Sequence, residues 1–510
     1  MINLDRGDLP VKLLLSTVSC GILALITFRW VYRVYFHPLA RFPGPKLAAI
    51  SHFYEGYYDV VKQGRYIFEI ERMHQKYGPI VRIGPNEVHI LDAEYYEKFY
   101  SQTNNKVDKD EWFYTMLGNP QATFPTIKAE VHRLRHNSLA PFFSTAAINR
   151  IEPNIHAIVS RLADRMATCA KEDTVIPLFY AYRCMTVDMI SEYAFGKQLG
   201  LLDRKDWGES FYSAWRALWE LSGIVRQFPM IMDIFEAMPR WVLQRVNPGA
   251  LEVLDMKDAT DAQMKAILDA DPKIYGERPF PTVMWEVAKS PILPPEEKTF
   301  RRLATDANSI LAAGFETTGN VLTLMTYLLL EHSEIHEKLK HELAEAIPDE
   351  SQIPSWQTLE KLPLLSAIVK ESLRLAVGAF SRLPRVNPNE AVQYGKWTIP
   401  AGTAIGMSNL FISMSPDIFP SPTEFIPDRW GLPNLPERRR LEHYLHPFGK
   451  GSRMCVAQNM AYAELYITMA TITRRFPKLR VWETSKRDME YVHDYFAGMA
   501  RHENGGLKVK

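Results

Sequence analysis

The sequence predicts a mainly α-helical protein with small β-sheets, placed behind a single N-terminal transmembrane helix. Three observations predict this fold class: an uncharged apolar run near the N-terminus, a helical apolar period over most of residues 125–375, and two short regions of strand and turn signals. The chain has 510 residues, of which 46% are hydrophobic and 23% charged, a composition typical of a folded globular protein. Its formal net charge of +1 lacks the basic bias of nucleic-acid-binding proteins, so no nucleic-acid partner is expected.

The apolar run begins at Leu13 and contains no charged residue before Arg29. Continued to Phe36, it is long enough to cross a bilayer, and we interpret residues 13–36 as a transmembrane anchor. A cleaved signal peptide is the alternative, but it needs small residues at its cleavage site, and here the run ends in the bulky sequence FRWVYRVYF. Basic residues lie at the end of the span, at Arg29 and Arg33, and after it, at Arg41 and Lys46, which predicts a lumenal segment at residues 1–12 and a cytosolic body.

A proline-rich segment follows the span and is interpreted as a hinge, residues 37–46. Its sequence HPLARFPGP has three prolines and one glycine, which forbid a helix and stiffen the exit from the membrane. Residues 47–510 contain no repeat, low-complexity tract or flexible linker, so we expect one large, mainly helical body over that range. Within it, IVRIGPNEVHIL (80–91) predicts a β-hairpin that turns at Gly84-Pro85, and YGKWTIPAGTAIGM (394–407) is the second region of strands and turns.

Cysteine is scarce, which is typical of a reducing compartment: the four positions are Cys20, Cys169, Cys184 and Cys455. Cys169 and Cys184 lie in helix-like stretches and are interpreted as small core residues rather than as ligands. Cys455 is different, because it ends the loop PFGKGSRMC and precedes an apolar helical run, residues 456–476. The positive end of that helix favours a thiolate.

The loop around Cys455 allows a structural thiol, a nucleophile or a metal ligand. Gly449 and Gly451 let the backbone curl tightly around the sulfur, and Arg453 can meet a nearby anion. A nucleophilic cysteine needs a positioned base, which nothing in the loop supplies. A phosphate-binding loop needs Ser or Thr directly after its Gly-Lys, and Gly451 stands there instead. One thiolate cannot hold a structural zinc ion, but it can serve as the single axial ligand of a haem.

The stretch FGKGSRMC, Phe448–Cys455, resembles the haem-binding loop of the cytochrome P-450 family, Phe-Gly-x-Gly-x-Arg-x-Cys-x-Gly. The resemblance implies a cytochrome P-450 fold with haem b, in which Cys455 is the axial iron ligand, Phe448 covers the sulfur, Gly449 shapes the loop and Arg453 pairs with a haem propionate. The last glycine of the family pattern is Ala457 here, which puts in doubt only how closely the helix approaches the porphyrin.

A second stretch tests this interpretation on the opposite face of a haem. Residues 301–330 form a long helix-like run with AGFETT, Ala313–Thr318, at its centre. A mid-helix threonine can hydrogen-bond back to the carbonyl four residues earlier, here from Thr317 to Ala313, and small residues beside it leave room for a diatomic molecule. Taken alone, the segment is equally compatible with a plain buried helix. It matches the family pattern Ala/Gly-Gly-x-Asp/Glu-Thr-Thr, which implies Ala313 and Gly314 at the haem and Glu316 and Thr317 in proton delivery.

A charge trio is implied by two further stretches. Glu371 and Arg374 in KESLRLAVG lie three residues apart on one helix face, which alone is typical of a surface pair. The pair resembles the family's Glu-x-x-Arg, which joins an arginine of a later loop to support the cysteine region. FIPDRW offers Arg429 as that third member.

Further propionate contacts are implied at three positions. HRLRHNSLAPFFS resembles the family helix that carries Trp-x-x-x-Arg, and here His132 and His136 occupy the two places. Histidine is only partly charged near neutral pH, so it neutralises a carboxylate less reliably than arginine does. A zinc site is the alternative for these histidines, although no carboxylate completes a motif. Arg385 in LPRV is the third expected contact.

The resemblance covers residues 37–500 and implies a monooxygenase that places one atom of O₂ into a substrate. The thiolate of such a haem donates electron density that promotes O–O cleavage. The opening HPLARFPGP is most similar to fungal microsomal members of secondary metabolism, including those that oxidise sesquiterpenes such as trichodiene. The expected site is therefore the endoplasmic reticulum membrane, crossed once, with the catalytic domain in the cytosol. Six apolar candidates for the substrate pocket are Phe113, Leu117, Ala312, Val377, Phe380 and Phe496.

No dinucleotide or flavin motif is visible, so electrons are expected from a membrane-bound NADPH-cytochrome P-450 reductase. Arg438, Arg439 and Arg440 form a basic run that is either a solvated loop or a docking patch for this acidic partner. Two other functions remain open: a haem-thiolate isomerase or dehydratase that needs no O₂, and a non-catalytic haem protein at the membrane. The intact Glu316-Thr317 pair argues against the isomerase.

Overall fold

A computed structural model describes residues 8–101, 107–118, 120–246, 248–431 and 434–510. The fold is mainly helical with three small sheets, as the sequence predicted. Residues 1–7 of the predicted lumenal segment lie outside the described residues. The N-terminal helices are α1 (Asp8–Val31), α2 (Lys46–Ile50), α3 (Phe53–Gly56), α4 (Tyr66–Tyr77), α5 (Ala93–Tyr100), α6 (Glu111–Tyr114) and α7 (Ala129–Leu139).

The central helices form the body around the site. They are α8 (Thr145–Lys171), α9 (Leu178–Phe195), α10 (Glu209–Gln227), α11 (Met230–Ala237), α12 (Arg240–Val246), α13 (Pro248–Asp269), α14 (Pro272–Gly276), α15 (Val283–Lys289) and α16 (Phe300–Glu331). The C-terminal helices are α17 (Ser333–Ala346), α18 (Trp356–Leu359), α19 (Pro363–Ala376), α20 (Asn409–Ser413), α21 (Leu435–His443), α22 (Gln458–Arg475) and α23 (Lys486–Met489).

The strands form one mixed sheet and two hairpins. They are β1 (Ile80–Gly84), β2 (Glu87–Ile90), β3 (Asp108–Lys109), β4 (Arg385–Val386), β5 (Val392–Tyr394), β6 (Trp397–Ile399), β7 (Ala404–Gly406), β8 (Tyr491–Tyr495) and β9 (Ala497–Ala500). The five-stranded sheet has the order β1-β2-β7-β4-β3, and β5-β6 and β8-β9 pair separately. Both strand regions that the alternating pattern predicted are therefore present.

The largest hydrophobic core lies between α8, α9, α16, α19 and α22. Almost every residue of α9 is buried, because this helix is covered on all sides by its neighbours. A second core joins the five-stranded sheet to α5 and to Leu39 and Phe42 of the segment after the span. This arrangement places α16 and α22 in the centre, with the loop before α22 between the helical core and the sheet.

The N-terminal span differs from every other long helix in exposure. Leu13–Phe36 is long and apolar enough to cross a membrane, and none of it is buried against the body. It is continuous through α1 and a short π-helix at Tyr32–Phe36. An exposed apolar helix of this length is compatible with a membrane anchor.

Candidate active site

The loop before α22 closes on itself around Cys455. The Cys455 N–H donates to the Phe448 carbonyl oxygen at 2.8 Å, and the Phe448 ring lies 5.1 Å from the Tyr462 ring of α22. Gly451 has φ = +73°, and a Cβ there would lie 1.9 Å from the Tyr100 carbonyl oxygen. The glycine is therefore required by the close approach of α5 as well as by the left-handed turn.

The environment of the Cys455 thiol differs from the sequence expectation. α22 begins at Gln458, and the N–H of Ala457 is hydrogen-bonded to Cys455. Part of the Cys455 side chain is accessible, yet protein atoms surround the sulfur closely enough that burial raises the pKa of the thiol, and the Ala457 N–H offsets this only in part. The helix end alone therefore does not ionise the thiol, whereas a coordinated metal ion would remove its proton.

Three basic side chains converge beside the cysteine loop. Lys109 of β3 and Arg385 of β4 are direct partners in an antiparallel pair. The Arg453 side chain donates to the carbonyl oxygens of Thr126 at 2.8 Å and Ile127 at 3.0 Å, and the main-chain N–H of Lys109 donates to the same Ile127 carbonyl at 3.0 Å. The sequence predicted Arg453 and Arg385 for this place and missed Lys109.

The partners of these cations are neutral oxygens and aromatic rings. Arg385 donates to the Tyr114 hydroxyl at 2.8 Å, and the Lys109 ammonium lies 4.2 Å from the Tyr114 ring centroid. Burial, followed by Arg385 and Arg453, holds the pKa of Lys109 well below its usual value. Burial and then Arg385 lower the pKa of Arg453 to about 10. Asp108, the acidic neighbour of Arg453, is itself paired with Lys128 at 2.9 Å.

His132 and His136 lie next to this cluster on α7. Their rings are stacked with centroids 5.4 Å apart. Burial, followed by the charges of Arg453 and Lys109, lowers the pKa of His132 to about 2, and burial and Arg453 lower the pKa of His136. Burial, and then the neighbouring cations, hold both histidines toward the neutral form, so an anion at this place would be bound first by Lys109, Arg385 and Arg453.

The excess of buried positive charge fits a ligand with two carboxylates. Burying unpaired cations is costly, and an anion between them would offset that cost. Among the residues that the structure describes, no group of three or more His, Cys, Asp or Glu side chains is arranged to hold a metal ion. A haem fits both findings, because one thiolate is enough for its iron and its two propionates match the cluster of Lys109, Arg385 and Arg453.

The centre of α16 presents Thr317 on an accessible face. Its hydroxyl donates to the Ala313 carbonyl oxygen at 3.0 Å, the back-bond that the sequence predicted. Ala313 and Thr317 are both exposed, and Ala312 is half-buried. The hydroxyl therefore has an acceptor within its own helix and remains available to a group outside it.

Gly314 faces a different neighbour from the one expected. A Cβ at Gly314 would lie 2.8 Å from Cγ1 of Ile190 on α9, and a Cβ at Gly319 would lie 2.8 Å from Cγ of Arg183 on the same helix. The two glycines let α9 and α16 approach closely. The geometry thus gives Gly314 a helix-packing role, in addition to the haem contact that the family pattern implies.

Glu316 is buried on the side of α16 that faces α9. Its carboxylate accepts from Arg183 Nη2 at 2.7 Å and Nε at 3.2 Å, and both side chains are buried. Burial lowers the pKa of Arg183, but Glu316 together with Tyr212 and Tyr491 more than offsets it, so the pKa is raised. Glu316 also lines a small cavity of about 10 Å³ together with Tyr491 and His502. That is close to the space that one ordered water needs.

A buried acid connects α16 to the helix that follows the cysteine. The Thr318 hydroxyl is hydrogen-bonded to Glu464 of α22, and burial raises the pKa of Glu464 to about 8. Glu464 is therefore protonated over much of the neutral range. This contact ties the position directly after Thr317 to α22, the helix that follows Cys455.

The three charged residues Glu371, Arg374 and Arg429 are in contact and buried. Arg374 forms two hydrogen bonds to Glu371, at 2.8 and 3.0 Å, and Arg429 Nε donates to the same carboxylate at 3.1 Å. The Trp430 indole N–H also donates to Glu371, at 2.9 Å. Arg374 further donates to main-chain carbonyls of the segment before Arg429, so the trio joins α19 to residues 413–430.

The candidate substrate residues fall into two groups. Phe113, Leu117 and Phe496 belong to one hydrophobic cluster, whereas Val377 and Phe380 belong to another beside α4 and α20. Phe113, Val377 and Phe380 are buried, while Leu117 and Phe496 are only partly buried. Of the five, Leu117 and Phe496 keep side-chain surface that a ligand could contact.

Sequence reasoning missed an aromatic group next to Phe496. Trp215 and Trp219 lie four residues apart on α10, so they share a helix face. Trp215 lies 5.1 Å from Phe315 of α16, and Trp219 is stacked at 6.3 Å on Phe496. Phe496 itself has φ = +81°, which is rare outside glycine, and its carbonyl oxygen accepts from the Phe380 N–H at 2.8 Å.

Four residues that form contacts in this region were not predicted from the sequence: Lys109, Tyr114, Arg183 and Glu464. Lys109 belongs to a two-residue strand, too short to show an alternating pattern. Arg183 is the only basic residue of the mainly apolar α9, whose other charged residues are Asp188 and Glu192, and this is the feature that could have marked it as a buried ion partner. Tyr114 and Glu464 look like ordinary helical residues.

The comparisons with known proteins agree on one protein family. The family model described as Cytochrome P450 matches residues 51–501. A cytochrome P450 monooxygenase of Sordaria araneosa, sdnE, is 38% identical over 94% of both chains. The tryptophan 6-hydroxylase fscE of Fusarium equiseti is 35% identical over 98% of this chain and 97% of its own. The cytochrome P450 monooxygenase TRI4 of Trichoderma arundinaceum is 34% identical over 99% of this chain and 96% of its own.

The match extends over the helical core, the cysteine loop and the sheet, so it includes every part of the site described above. The chain therefore belongs to the cytochrome P450 family of haem-binding monooxygenases.

Proposed function

We propose that this chain places one oxygen atom from O₂ into an apolar small molecule of fungal secondary metabolism, with electrons from an NADPH-dependent reductase. The observation that carries the proposal is the convergence of Lys109, Arg385 and Arg453 beside the Cys455 loop, because this cluster needs a dianionic partner. Haem b meets that need, with Cys455 as its axial ligand. When bound, the haem supplies oxygen activation and accepts the electrons.

The role proposed for Thr317 is to hold a proton at the oxygen-binding face of the site. Its hydroxyl is accessible and donates to Ala313, so it can accept a second hydrogen bond on its oxygen. Glu316 is turned toward Arg183 on the other side of α16. A proton that passes from Glu316 to Thr317 would therefore have to move from the α9-facing side of α16 to its accessible side. The ion pair between Glu316 and Arg183 would have to open first, so its opening would control the delivery of protons to Thr317.

The proposed substrate site is the aromatic region between α10, α16 and the β8-β9 turn. Trp215, Trp219 and Phe496 supply flat apolar surface there, which favours an apolar and partly unsaturated substrate. The names of the relatives include a tryptophan 6-hydroxylase and a conidiogenone synthase, so similarity at this level does not select one substrate. Leu117 and Ala312 extend the same region.

The proposed location is the endoplasmic reticulum membrane, with the span at Leu13–Phe36 as anchor and the catalytic body in the cytosol. The reductase is proposed to dock near Arg438, Arg439 and Arg440. In the structure Arg440 is paired with Glu437 at 3.1 Å, whereas Arg439 is exposed. Arg439 is therefore the residue of this run best placed to contact an acidic partner.

Reduced difference spectra with carbon monoxide test the haem ligation. Purified full-length protein should bind haem and show the band of a thiolate-ligated iron, and Cys455→His should abolish it. The spectrum of an imidazole-ligated iron in the wild-type chain would contradict the proposal. Substrate-dependent NADPH consumption with labelled O₂ in reconstituted membranes then tests oxygen insertion: label in the product supports a monooxygenase, and turnover without label or NADPH use supports an isomerase.

A further inference from the structure

The loop at residues 120–128 supplies oxygen atoms that hold two of the three basic side chains of the candidate site. The Lys109 ammonium donates to the Phe124 carbonyl oxygen. The Arg453 guanidinium donates to two consecutive main-chain carbonyl oxygens of the same loop, at 2.8 and 3.0 Å. The positions of both cations therefore depend on the conformation of this loop.

Asp306 of α16 holds the loop by a contact at two points, which we call the loop clasp. Its Oδ1 accepts the main-chain N–H of Thr123 at 2.6 Å, and its Oδ2 accepts the Thr123 hydroxyl at 2.8 Å. Both residues are buried, Asp306 with 2% and Thr123 with 7% of its surface exposed. Hydrogen bonds to a charged carboxylate are stronger than those between neutral groups, so the clasp fixes Thr123 against α16.

Arg302 completes the loop clasp from the preceding turn of α16. It lies four residues before Asp306 and pairs with that carboxylate at 2.7 Å, and it also donates to the Thr123 hydroxyl at 3.2 Å. The hydroxyl therefore donates one hydrogen bond and accepts another. A methyl group in its place would remove both bonds and leave the ion pair between Arg302 and Asp306.

The same loop is held from α7 by Arg135. Its guanidinium donates to the Thr126 hydroxyl at 2.8 Å and to the Gln121 carbonyl oxygen at 2.9 Å. Glu297 accepts from Arg135 at 2.7 and 2.8 Å and from Arg302 at 2.9 Å, so it connects this contact to the loop clasp. The loop is therefore fixed to α7 and to α16 through one connected set of charged groups.

Asp306 lies on the same face of α16 as Thr317. The helix runs without interruption over Phe300–Glu331, and at 3.6 residues per turn positions 306, 313 and 317 point within about 20° of one direction. Asp306 and Thr317 are separated by about 16 Å along the axis, at 1.5 Å per residue. One rigid helix therefore carries both the accessible hydroxyl and the carboxylate that fixes the loop.

We propose that Asp306 and Thr123 are positioning residues, which hold the cations Lys109 and Arg453 at a fixed place relative to the face of α16 that carries Thr317. The contacts form one chain, from the carboxylate of α16 through the loop to the two cations. A haem whose carboxylates are bound by those cations is then placed relative to Thr317 by the loop clasp. The inference rests on the proposed function, because it concerns the haem that this function requires.

Thr123→Val in the full-length holoprotein tests the proposal. It removes the hydroxyl, keeps the shape of the side chain and leaves the ion pair between Arg302 and Asp306 intact. A less fixed loop neutralises the haem carboxylates less completely, and uncompensated negative charge opposes the uptake of an electron. The midpoint potential of the haem should therefore fall, and the carboxylate bending bands in its resonance Raman spectrum should shift. Thr123→Ser keeps the hydroxyl and should give the wild-type potential and bands.

The matched control is Thr326→Val, the same substitution at a buried position of α16 far from the loop. The Thr326 hydroxyl is hydrogen-bonded to the Tyr182 hydroxyl at 2.8 Å. Its loss should lower the unfolding midpoint but leave the haem potential and the Raman bands unchanged, because no contact of the loop is affected. Wild-type signals in Thr123→Val would overturn the inference, and so would a shift that Thr326→Val shares or that Thr123→Ser does not reverse.

Asp306→Asn tests the carboxylate itself. An amide has one acceptor oxygen, so its NH₂ group must face either the Thr123 donors or Arg302, and the haem potential should fall further than in Thr123→Val. A wild-type potential in this variant would overturn the role of Asp306, and Thr123→Val decides the inference if the loss of charge prevents folding. The carbon monoxide spectrum separates this inference from the proposed function. A thiolate band in the wild-type chain with unshifted signals in Thr123→Val overturns the positioning role alone, whereas absence of that band in the wild-type chain overturns both.

Discussion

At the scale of single residues, the site depends on which side of a helix each polar group occupies. Thr317 and Glu316 are adjacent in sequence, yet one is exposed beside Ala313 and the other is buried against Arg183. Successive residues of an α-helix point about 100° apart, so neighbours in sequence face different partners. Their proposed roles therefore differ: Thr317 acts at the site, and Glu316 acts from behind it.

Thr317→Ala is expected to lower the fraction of consumed NADPH that appears as oxygenated product severalfold, because the hydroxyl that holds the proton is removed. Product and hydrogen peroxide are measured against NADPH in reconstituted membranes. Thr317→Ser keeps the hydroxyl and is the matched control, which should stay close to wild-type coupling. Unchanged coupling in Thr317→Ala would show that another group holds the proton.

Some properties of the candidate site could be predicted from the local sequence, and others could not. The spacing of FGKGSRMC was sufficient to predict Cys455 as a ligand and Arg453 as an anion contact. It could not show that burial raises the pKa of the Cys455 thiol, because that depends on atoms from distant segments. Lys109 was missed for the same reason: only the pairing of β3 with β4 brings it opposite Arg385.

At the scale of secondary-structure elements, close helix packing and one buried charge trio hold the site together. α9 approaches α16 at Gly314 and Gly319, where side chains would collide with Ile190 and Arg183. α19 is joined to residues 413–430 by Glu371, Arg374 and Arg429. The α9–α16 packing and the charge trio each lead to a testable prediction.

Gly314→Ala is expected to destabilise the protein although alanine is the better helix former by about 1 kcal/mol. The new Cβ would lie 2.8 Å from Ile190 Cγ1, and overpacking of a core costs about 1–3 kcal/mol. Thermal unfolding measures the change. Ile190→Ala costs about 2–5 kcal/mol on its own, because it leaves a cavity in the core. The double variant should therefore lose less free energy of unfolding than the sum of the two single losses, whereas additive losses would show that the two side chains do not collide.

Arg374→Met should strongly reduce the yield of folded holoprotein. It leaves the Glu371 carboxylate buried with fewer partners, and breaking a buried pair costs about 3–5 kcal/mol. Haem content per chain and the unfolding midpoint are the measurements. The control is Lys370→Met, a substitution on the same helix as Arg374. It removes only a partly exposed ion pair with Glu442 and should lower the free energy of unfolding by about 1 kcal/mol or less. Equal effects of the two variants would contradict a structural role for the trio.

At the scale of the whole molecule, several histidines are buried in the neutral form. His74 and His89 are hydrogen-bonded at 2.7 Å between α4 and β2, and burial is the main cause that lowers the pKa of His74 to about 4. Burial likewise lowers the pKa values of His446 and His502 to about 4. Stability at mildly acidic pH is therefore a property of the whole fold rather than of one site.

The free energy of unfolding is expected to fall as the pH drops below about 6.5. The unfolded chain takes up a proton at His74 there, while the folded protein does not until about pH 4, so each such histidine costs up to about 1.4 kcal/mol per pH unit. Urea unfolding at pH 7 and pH 5 measures this. His74→Asn should reduce the pH dependence by about 2 kcal/mol over that interval. His341→Asn, at an exposed position, should leave it unchanged, and equal slopes for both variants would refute the assignment.

The reductase patch is a property of the outer surface. Arg439→Glu should raise the apparent KM for the reductase, most strongly at low ionic strength, because exposed charges are screened as salt increases. NADPH-dependent turnover is measured over a reductase titration at two salt concentrations. Arg487→Glu, a charge reversal at an exposed residue outside this run, is the control. A KM independent of Arg439 at low salt would exclude docking at this run.

The sequence alone determined the fold class and the back-bonded threonine, and it predicted the axial ligand, because each depends on residues close together in the chain. Helical period, the strand turns near Gly84 and Gly402, and the Cys455 loop are local patterns of this kind. Only the tertiary structure decided which groups meet across the chain: Lys109 with Arg385, Glu316 with Arg183, Gly314 with Ile190, and the end of the span with Arg82. Burial and pairing of charges depend on these distant contacts, so no local pattern could specify them.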